Sequence, residues 1–71
     1  MEHEHRNYKV VEEGLMTVRE GARFAAVSVA ALYSMMARGE LAYVKLGRSR
    51  RIPRRALVEL AARNLVGHRD T

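Results

Sequence analysis

Apolar residues recur at helical spacing in the segment that follows a polar start. Thr17 and Glu20 are placed as a capping box, in which the hydroxyl accepts from one free backbone amide and the carboxylate from another. This signature predicts a first helix from Val18 to about Ala26. The residues expected to be buried on it are Val18, Ala22 and Ala25.

A second capping signal comes only two residues after this helix. Ser28 is suited to an N-cap, and Gly39 stands where a helix commonly ends in a left-handed residue, so a second helix is predicted over Val29–Arg38. Its expected core residues are Val29, Leu32 and Met36, and Met16, Met35 and Met36 are expected to fill gaps in the core. Two short helices joined by so tight a turn form a helix-turn-helix unit.

After the second predicted helix, apolar residues no longer recur at helical spacing but at every second position. Residues 41–46 alternate and are rich in β-formers, residues 47–49 resemble a turn, and residues 50–52 can return as a short strand. Pro53 suits the first turn of a third helix, which is predicted from Arg54 to about Val66 with Gly67 just past its end. Its two apolar stripes are Leu57, Leu60 and Ala61 on one side and Val58, Ala62 and Leu65 on the other.

These elements predict a mainly α fold with a small β-hairpin. We expect a winged helix-turn-helix of three helices and a two-stranded wing, with an extra N-terminal strand as an option. The predicted domain spans residues 15–67, between an arm at residues 1–14, with a candidate short strand at 8–11, and a polar tail at residues 68–71.

Composition narrows the class of protein. The chain has 71 residues, a net charge of +5 and no cysteine, so we expect one small domain without disulfides or thiolate metal sites, compatible with a reducing compartment. No segment has the length and apolarity of a membrane span or the pattern of a signal peptide, which favours a soluble, cytoplasmic protein.

No set of residues suggests catalysis, so an enzyme is not expected. His3 and His5 are two residues apart in a polar arm, but nothing in the arm would hold them in a metal-binding geometry. We therefore expect neither a metal nor a cofactor.

Positive charge is concentrated in one region. Six cations fall within eleven residues, with no acid between Glu40 and Glu59; they are Lys45, Arg48, Arg50, Arg51, Arg54 and Arg55. Cations in the first turn of a helix oppose the helix dipole, whereas hairpins and helix starts are natural phosphate sites. This placement favours anion binding over a merely solvated charge run. Arg48, at the predicted hairpin tip, is suited to entering a minor groove or holding a phosphate.

The second helix would be the recognition helix. Its outward face carries Ala30, Tyr33, Ser34, Ala37 and Arg38. Direct base reading usually depends on Arg, Lys, Asn or Gln, so this face indicates weak direct readout, with specificity from DNA shape and neighbouring bound copies. Tyr33 has two interpretations, since it could contact phosphate or only pack against the wing.

Three sets of candidate residues follow. The predicted DNA-binding residues are Ser28, Ala30, Tyr33, Ser34, Arg38, Lys45, Arg48, Ser49, Arg50, Arg51 and Arg54. Candidate backbone contacts on the first helix are Thr17, Arg19 and Arg23. A candidate protein interface comprises Tyr8, Val10, Val58, Ala62 and Leu65.

From Leu15 onward, the sequence resembles that of the excisionase family. Members of this family are small MerR-like winged-helix proteins and include phage recombination directionality factors. The motifs that carry the resemblance are LMTVREGA at 15–22, RGEL at 38–41, VKLGR at 44–48 and RIPRRAL at 51–57. The chain departs from the family at Ala30, Ser34 and Ala37, where relatives often carry charged or polar groups, at Ala26, where glycine is common, and at Gly21, where alanine is usual.

The resemblance implies a role without chemistry of its own. Members place the second helix in the major groove and the wing in the minor groove, bind double-stranded DNA cooperatively, bend it, and steer a phage integrase toward excision. By position, Arg48 corresponds to the wing-tip arginine, and residues 28–38 correspond to the recognition helix. The implied partners are DNA, a tyrosine or serine integrase, and further copies of the protein, on DNA or as a dimer.

Two other functions are compatible with the same residues. A small transcriptional regulator would change promoter output without integrase, whereas an excisionase changes the direction of recombination only with it. A protein-interaction module would leave random duplex DNA unbound at low salt, which a gel shift distinguishes.

Overall fold

The computed structural model describes residues 8–67, which form a three-stranded antiparallel sheet packed against three helices, preceded by a short helical stretch at residues 8–12. In chain order the elements are β1 (Leu15–Thr17), α1 (Val18–Ala25), α2 (Val29–Ala37), β2 (Val44–Leu46), β3 (Ser49–Pro53) and α3 (Arg54–Arg63). Strand β3 is central, with β1 on one side and β2 on the other. The predicted winged helix-turn-helix is confirmed, and β1 is an extra N-terminal strand.

Both predicted helix starts are present. Thr17 Oγ1 accepts from Glu20 N at 3.0 Å, and Thr17 N donates to Glu20 Oε1 at 3.0 Å, which completes the capping box. Ser28 Oγ accepts from Ala31 N at 3.0 Å and begins α2. Residues 26–28 can turn tightly between the helices because Ala26 N and Val27 N donate back to Arg23 O and Ala22 O, while Ser28 satisfies an amide at the start of α2.

The core lies where α1, α2 and α3 meet the inner face of β3. Leu32 and Ile52 are fully buried and Leu57 is 2% exposed; the other buried hydrophobic residues are Val18, Ala22, Met36 and Leu41. Met16 and Met35 pack against this cluster, so the predicted role of the methionines is confirmed. Gly21 is also buried, and a Cβ there would lie 3.2 Å from both Ile52 Cδ1 and Leu57 Cδ1. A glycine therefore lets α1 approach the sheet and α3 closely.

Two predicted core positions are wrong. Ala25 is exposed because the last turn of α1 passes beyond the core and borders an open groove between α2 and α3. Val29 is 38% exposed because it stands in the first turn of α2, next to the exposed Val27 of the turn.

The predicted strand at 8–11 is also wrong, because residues 8–12 are helical. The backbone of the arm instead forms local hydrogen bonds, and Gly14 N donates to Val11 O at 3.0 Å in the turn after the helical residues. Arg54 N then donates to Gly14 O at 2.9 Å, which ties the arm to the start of α3.

Two further elements are shorter than predicted. Leu41 is buried in the core, so residues 41–43 leave α2 without joining the sheet, and β2 begins only at Val44. Helix α3 ends at Arg63 because Asn64 Nδ2 donates to Leu60 O at 2.8 Å, a local side-chain bond that competes with further helix. Leu65 is therefore outside the helix whose stripe it was predicted to extend.

Ala26 has a left-handed backbone, with φ 58° and ψ 43°. An L-residue in this region costs roughly 1–2 kcal/mol, whereas glycine adopts it freely but has more entropy to lose on folding. We expect Ala26→Gly to stabilise the protein by about 0.5–1 kcal/mol, which corresponds to a rise of roughly 2–8 °C in Tm. Thermal unfolding followed by circular dichroism measures this. The neighbouring Ala25→Gly is the matched control and should lower the Tm, since position 25 is helical; a fall for Ala26→Gly as well would contradict the account.

Candidate nucleic-acid interface

The wing is a tight hairpin with a cation at its tip. Leu46 pairs with Ser49, so Gly47 and Arg48 alone make the turn. Gly47 has φ 64°, and a positive φ at only the first of two central positions is the pattern of a type II′ turn. This turn matches the twist of the strands and leaves Arg48 and Ser49 exposed at the tip.

Arg50 connects the wing to α2. Its guanidinium carbon lies 4.5 Å from the ring centroid of Tyr43 and 5.2 Å from that of Tyr33, and Nη1 is 3.9 Å from Met36 Sδ. A guanidinium held between two aromatic rings is stabilised by cation–π attraction. Of the two interpretations of Tyr33, packing against the wing is present in this structure, and the residue remains 43% exposed.

The other wing cations divide between the two faces of the sheet. Lys45 pairs with Arg50 across the hairpin and shares its side of the strand pair. Successive side chains of a strand point to opposite faces, so Arg51 lies on the other face, where its Nη1 donates to Arg50 O at 3.0 Å. The hairpin therefore presents positive charge on both faces and at the tip.

The two arginines that begin α3 have contacts outside the wing. The Arg54 guanidinium carbon lies 5.0 Å from the ring centroid of Phe24 on α1. Arg55 forms a bidentate ion pair with Glu13, in which Nε donates at 3.1 Å and Nη2 donates to the other oxygen. The hydrogen bond from Arg55 holds the pKa of Glu13 below its usual range, which favours the ionised carboxylate of the pair. The six clustered cations of the sequence are thus not one patch, since Arg55 is neutralised by the arm.

The recognition helix presents small residues outward. Ala30 and Ala37 are exposed opposite the buried Leu32 and Met36, with Ser34 between them. Ser28 uses an oxygen lone pair for capping, which leaves its hydroxyl hydrogen free to donate to a phosphate.

Arg38 is engaged at the far end of α2. It donates to Ser34 Oγ and to both carboxylate oxygens of Glu40. Sequence reasoning missed Glu40 as a site residue. Its position in the sequence could have indicated this role, because Glu40 comes two residues after Arg38, the cation on the outward face of the recognition helix.

Helix α1 offers two further cations. Arg19 and Arg23 are exposed, while Thr17 is occupied as the cap of the helix. Whether these residues, or those of the wing and α2, contact DNA stays a prediction.

The candidate protein interface is mostly exposed. Val58 is 47% exposed and Leu65 63%, Ala62 and Tyr8 are also exposed, and Val10 is half-buried. An interface role for these residues stays a prediction. His3 and His5 lie outside the described residues.

Within residues 8–67, no helix has the length and apolarity needed to cross a membrane. The same residues hold no group of three or more His, Asp or Glu side chains that could bind a metal ion.

The α1–turn–α2 unit shares its core with α3 and is accompanied by a basic hairpin. This arrangement defines a winged helix-turn-helix, a DNA-binding class of fold. The family model described as a helix-turn-helix domain matches residues 15–65. The chain belongs to this helix-turn-helix family, and its resemblance to the excisionase type is confirmed.

A relative supports the same assignment. The chain is 43% identical over 49 residues to a protein of Saccharopolyspora erythraea named "Probable excisionase". The match covers 69% of this chain and 50% of that protein, so the chain spans about half the length of its relative. No solved structure matches the chain significantly.

Proposed function

We propose that this protein is an architectural DNA-binding protein of the excisionase type, which bends attachment-site DNA and promotes integrase-mediated excision of a prophage. In this role it performs no chemistry itself and acts on DNA in the bacterial cytoplasm. The integrase, of the tyrosine or serine class, breaks and joins the strands. Copies bound side by side, or as a dimer, would add protein contacts through the arm and α3.

The observation that carries the proposal is the connection of α2 to the wing through Arg50. Because the Arg50 guanidinium lies between Tyr33 and Tyr43, α2 and the hairpin are held together as one surface from which both project. A helix suits the width of the major groove, and an arginine at a hairpin tip suits a narrow minor groove. A protein that occupies both grooves at once favours deformed DNA, because bending brings more of the duplex into contact.

The small outward face of α2 supports shape reading over base reading. Ala30 and Ala37 can contact thymine methyl groups but cannot form the paired hydrogen bonds that identify a base. We infer that specificity comes mainly from the deformability of the site and from repeated sites bound by neighbouring copies.

Arg48→Ala should weaken binding to duplex DNA by roughly tenfold and reduce the bend, because it removes the tip cation without touching the core. Fluorescence anisotropy measures affinity, and energy transfer between dyes at the two ends of the duplex measures bending. Lys9→Ala, which removes one exposed cation that is not among the predicted DNA-binding residues, is the control for net charge and should change neither strongly. Unchanged affinity and bend for Arg48→Ala would remove the wing tip from the site.

A footprint on DNA flanking the protein's own gene tests the excisionase role. Several regularly spaced protected segments, together with a change in the direction of recombination that requires integrase, support it. One palindromic operator, with promoter output that changes without integrase, would assign the protein as a transcriptional regulator instead.

A further inference from the structure

The outer end of the recognition helix carries a cation that is already bound. Arg38 Nε donates to Glu40 Oε2 and Nη2 to Glu40 Oε1, both at 3.0 Å, while Nη1 donates to Ser34 Oγ at 2.9 Å. A bidentate guanidinium–carboxylate pair uses the same edge of the guanidinium that grips a phosphate or a guanine. In this state the edge that would meet DNA is occupied by Glu40.

The backbone holds Glu40 in this place. Helix α2 ends in a Schellman motif, in which Gly39, with φ 76°, donates to Met36 O at 3.1 Å and Glu40 N donates to Met35 O at 2.9 Å. From α3, Arg63 Nη2 donates to Glu40 O at 3.0 Å. Because two elements fix the main chain of Glu40, its carboxylate is placed beside Arg38 before any ligand arrives.

The pair decides the charge that α2 presents. The helix itself, Val29–Ala37, contains no charged residue. Arg38 follows the helix directly and is paired with Glu40, whereas Arg50 of β3 lies against Tyr33 and Met36. The hydrogen bond from Arg38 lowers the pKa of Glu40, which favours the ionised carboxylate of the pair. Both side chains are about half exposed, so phosphate could displace the carboxylate from Arg38. That exchange would leave an uncompensated negative charge next to the DNA backbone, which opposes it.

We propose that Glu40 is a specificity-determining residue, which keeps Arg38 from the phosphates of non-specific DNA so that α2 meets the groove with a small, uncharged face. The inference rests on the proposed DNA-binding function and adds to it. Affinity for DNA of any sequence then comes from the wing, while α2 enters the groove only of duplexes whose shape fits it.

Glu40→Gln tests this, because it keeps the size of the side chain and removes its charge. We expect affinity for random duplex DNA at low salt to rise about five- to tenfold. The slope of log affinity against log salt should become steeper by about 0.9, the value for one additional phosphate contact. Glu59→Gln is the matched control: it makes the same change in net charge on the exposed surface of α3 and should raise affinity less than twofold.

A double variant identifies the residue that Glu40 acts through. In an Arg38→Ala background, Glu40→Gln should raise affinity no more than Glu59→Gln does. Equal gains in affinity from Glu40→Gln and Glu59→Gln would overturn the inference and leave the proposed DNA binding intact. A loss of affinity in Glu40→Gln would also overturn it, because Glu40 would then position Arg38 for contact with DNA. Failure of the unaltered protein to bind duplex DNA would instead reject the proposed function. Thermal unfolding of each variant confirms that the compared proteins are folded.

Discussion

Replacing Leu32 with alanine should remove most of the protein's stability. Leu32 is fully buried where α2 meets α1, α3 and β3, and it is one of seven hydrophobic residues in the core. Deleting such a side chain costs about 2–5 kcal/mol, because the lost contacts leave a cavity that neighbours fill only partly. A single core in a domain of this size supplies only about 3–5 kcal/mol in total. We therefore expect a large unfolded fraction at 25 °C.

Urea unfolding followed by circular dichroism measures the effect as a fall in the midpoint. Leu65→Ala is the matched control, since it is the same substitution at a side chain that is 63% exposed beyond the end of α3. It should change the free energy of unfolding by less than about 0.5 kcal/mol. A Leu32→Ala protein within 1 kcal/mol of the original would mean that the core is not centred on α2.

The second large effect is the response of DNA binding to salt. Arg55 is paired with Glu13, so five of the six clustered cations remain for DNA; they are Lys45, Arg48, Arg50, Arg51 and Arg54. Each phosphate neutralised contributes about −0.9 to the slope of log affinity against log salt. We expect a slope of about −4 to −5, which lowers affinity roughly 250- to 1,000-fold between 50 and 200 mM salt.

Anisotropy titrations at several salt concentrations give this slope directly. A variant that lacks two wing cations, Arg48→Ala with Arg51→Ala, should have a slope shallower by about 1.8. A nearly flat response of the unaltered protein would show that the binding does not depend on the cations of the wing.

The parts of the fold that the sequence could predict are those set by local chemistry. The capping box at Thr17, the cap at Ser28 and the left-handed Gly39 each use side chains or backbone within a few residues, so the bounds of α1 and α2 were predictable to within one residue. The hairpin turn is equally local. The core position of Leu32 followed from helical spacing.

The errors arose where distant residues or single side chains decide the outcome. Residues 8–11 have β-formers, but they are helical in the structure, and the arm that contains them is joined to the start of α3 by the hydrogen bond from Arg54 N to Gly14 O. Asn64 ended α3 through one side-chain hydrogen bond. In the site, the run of cations was visible, but the pairing of Arg55 with Glu13, 42 residues apart, depends on how the arm folds back.

The stacking of Arg50 between Tyr33 and Tyr43 has a mechanical consequence. Were the hairpin free to swing, it could adjust to the duplex, and ordinary straight DNA would fit as well as any other. The contacts of Arg50 with the two rings oppose that movement, so we expect the spacing between the wing tip and the recognition helix to be largely preset. If the protein binds DNA as proposed, the duplex has to deform to fit it, and we expect sequences that bend easily to be bound in preference to stiff ones.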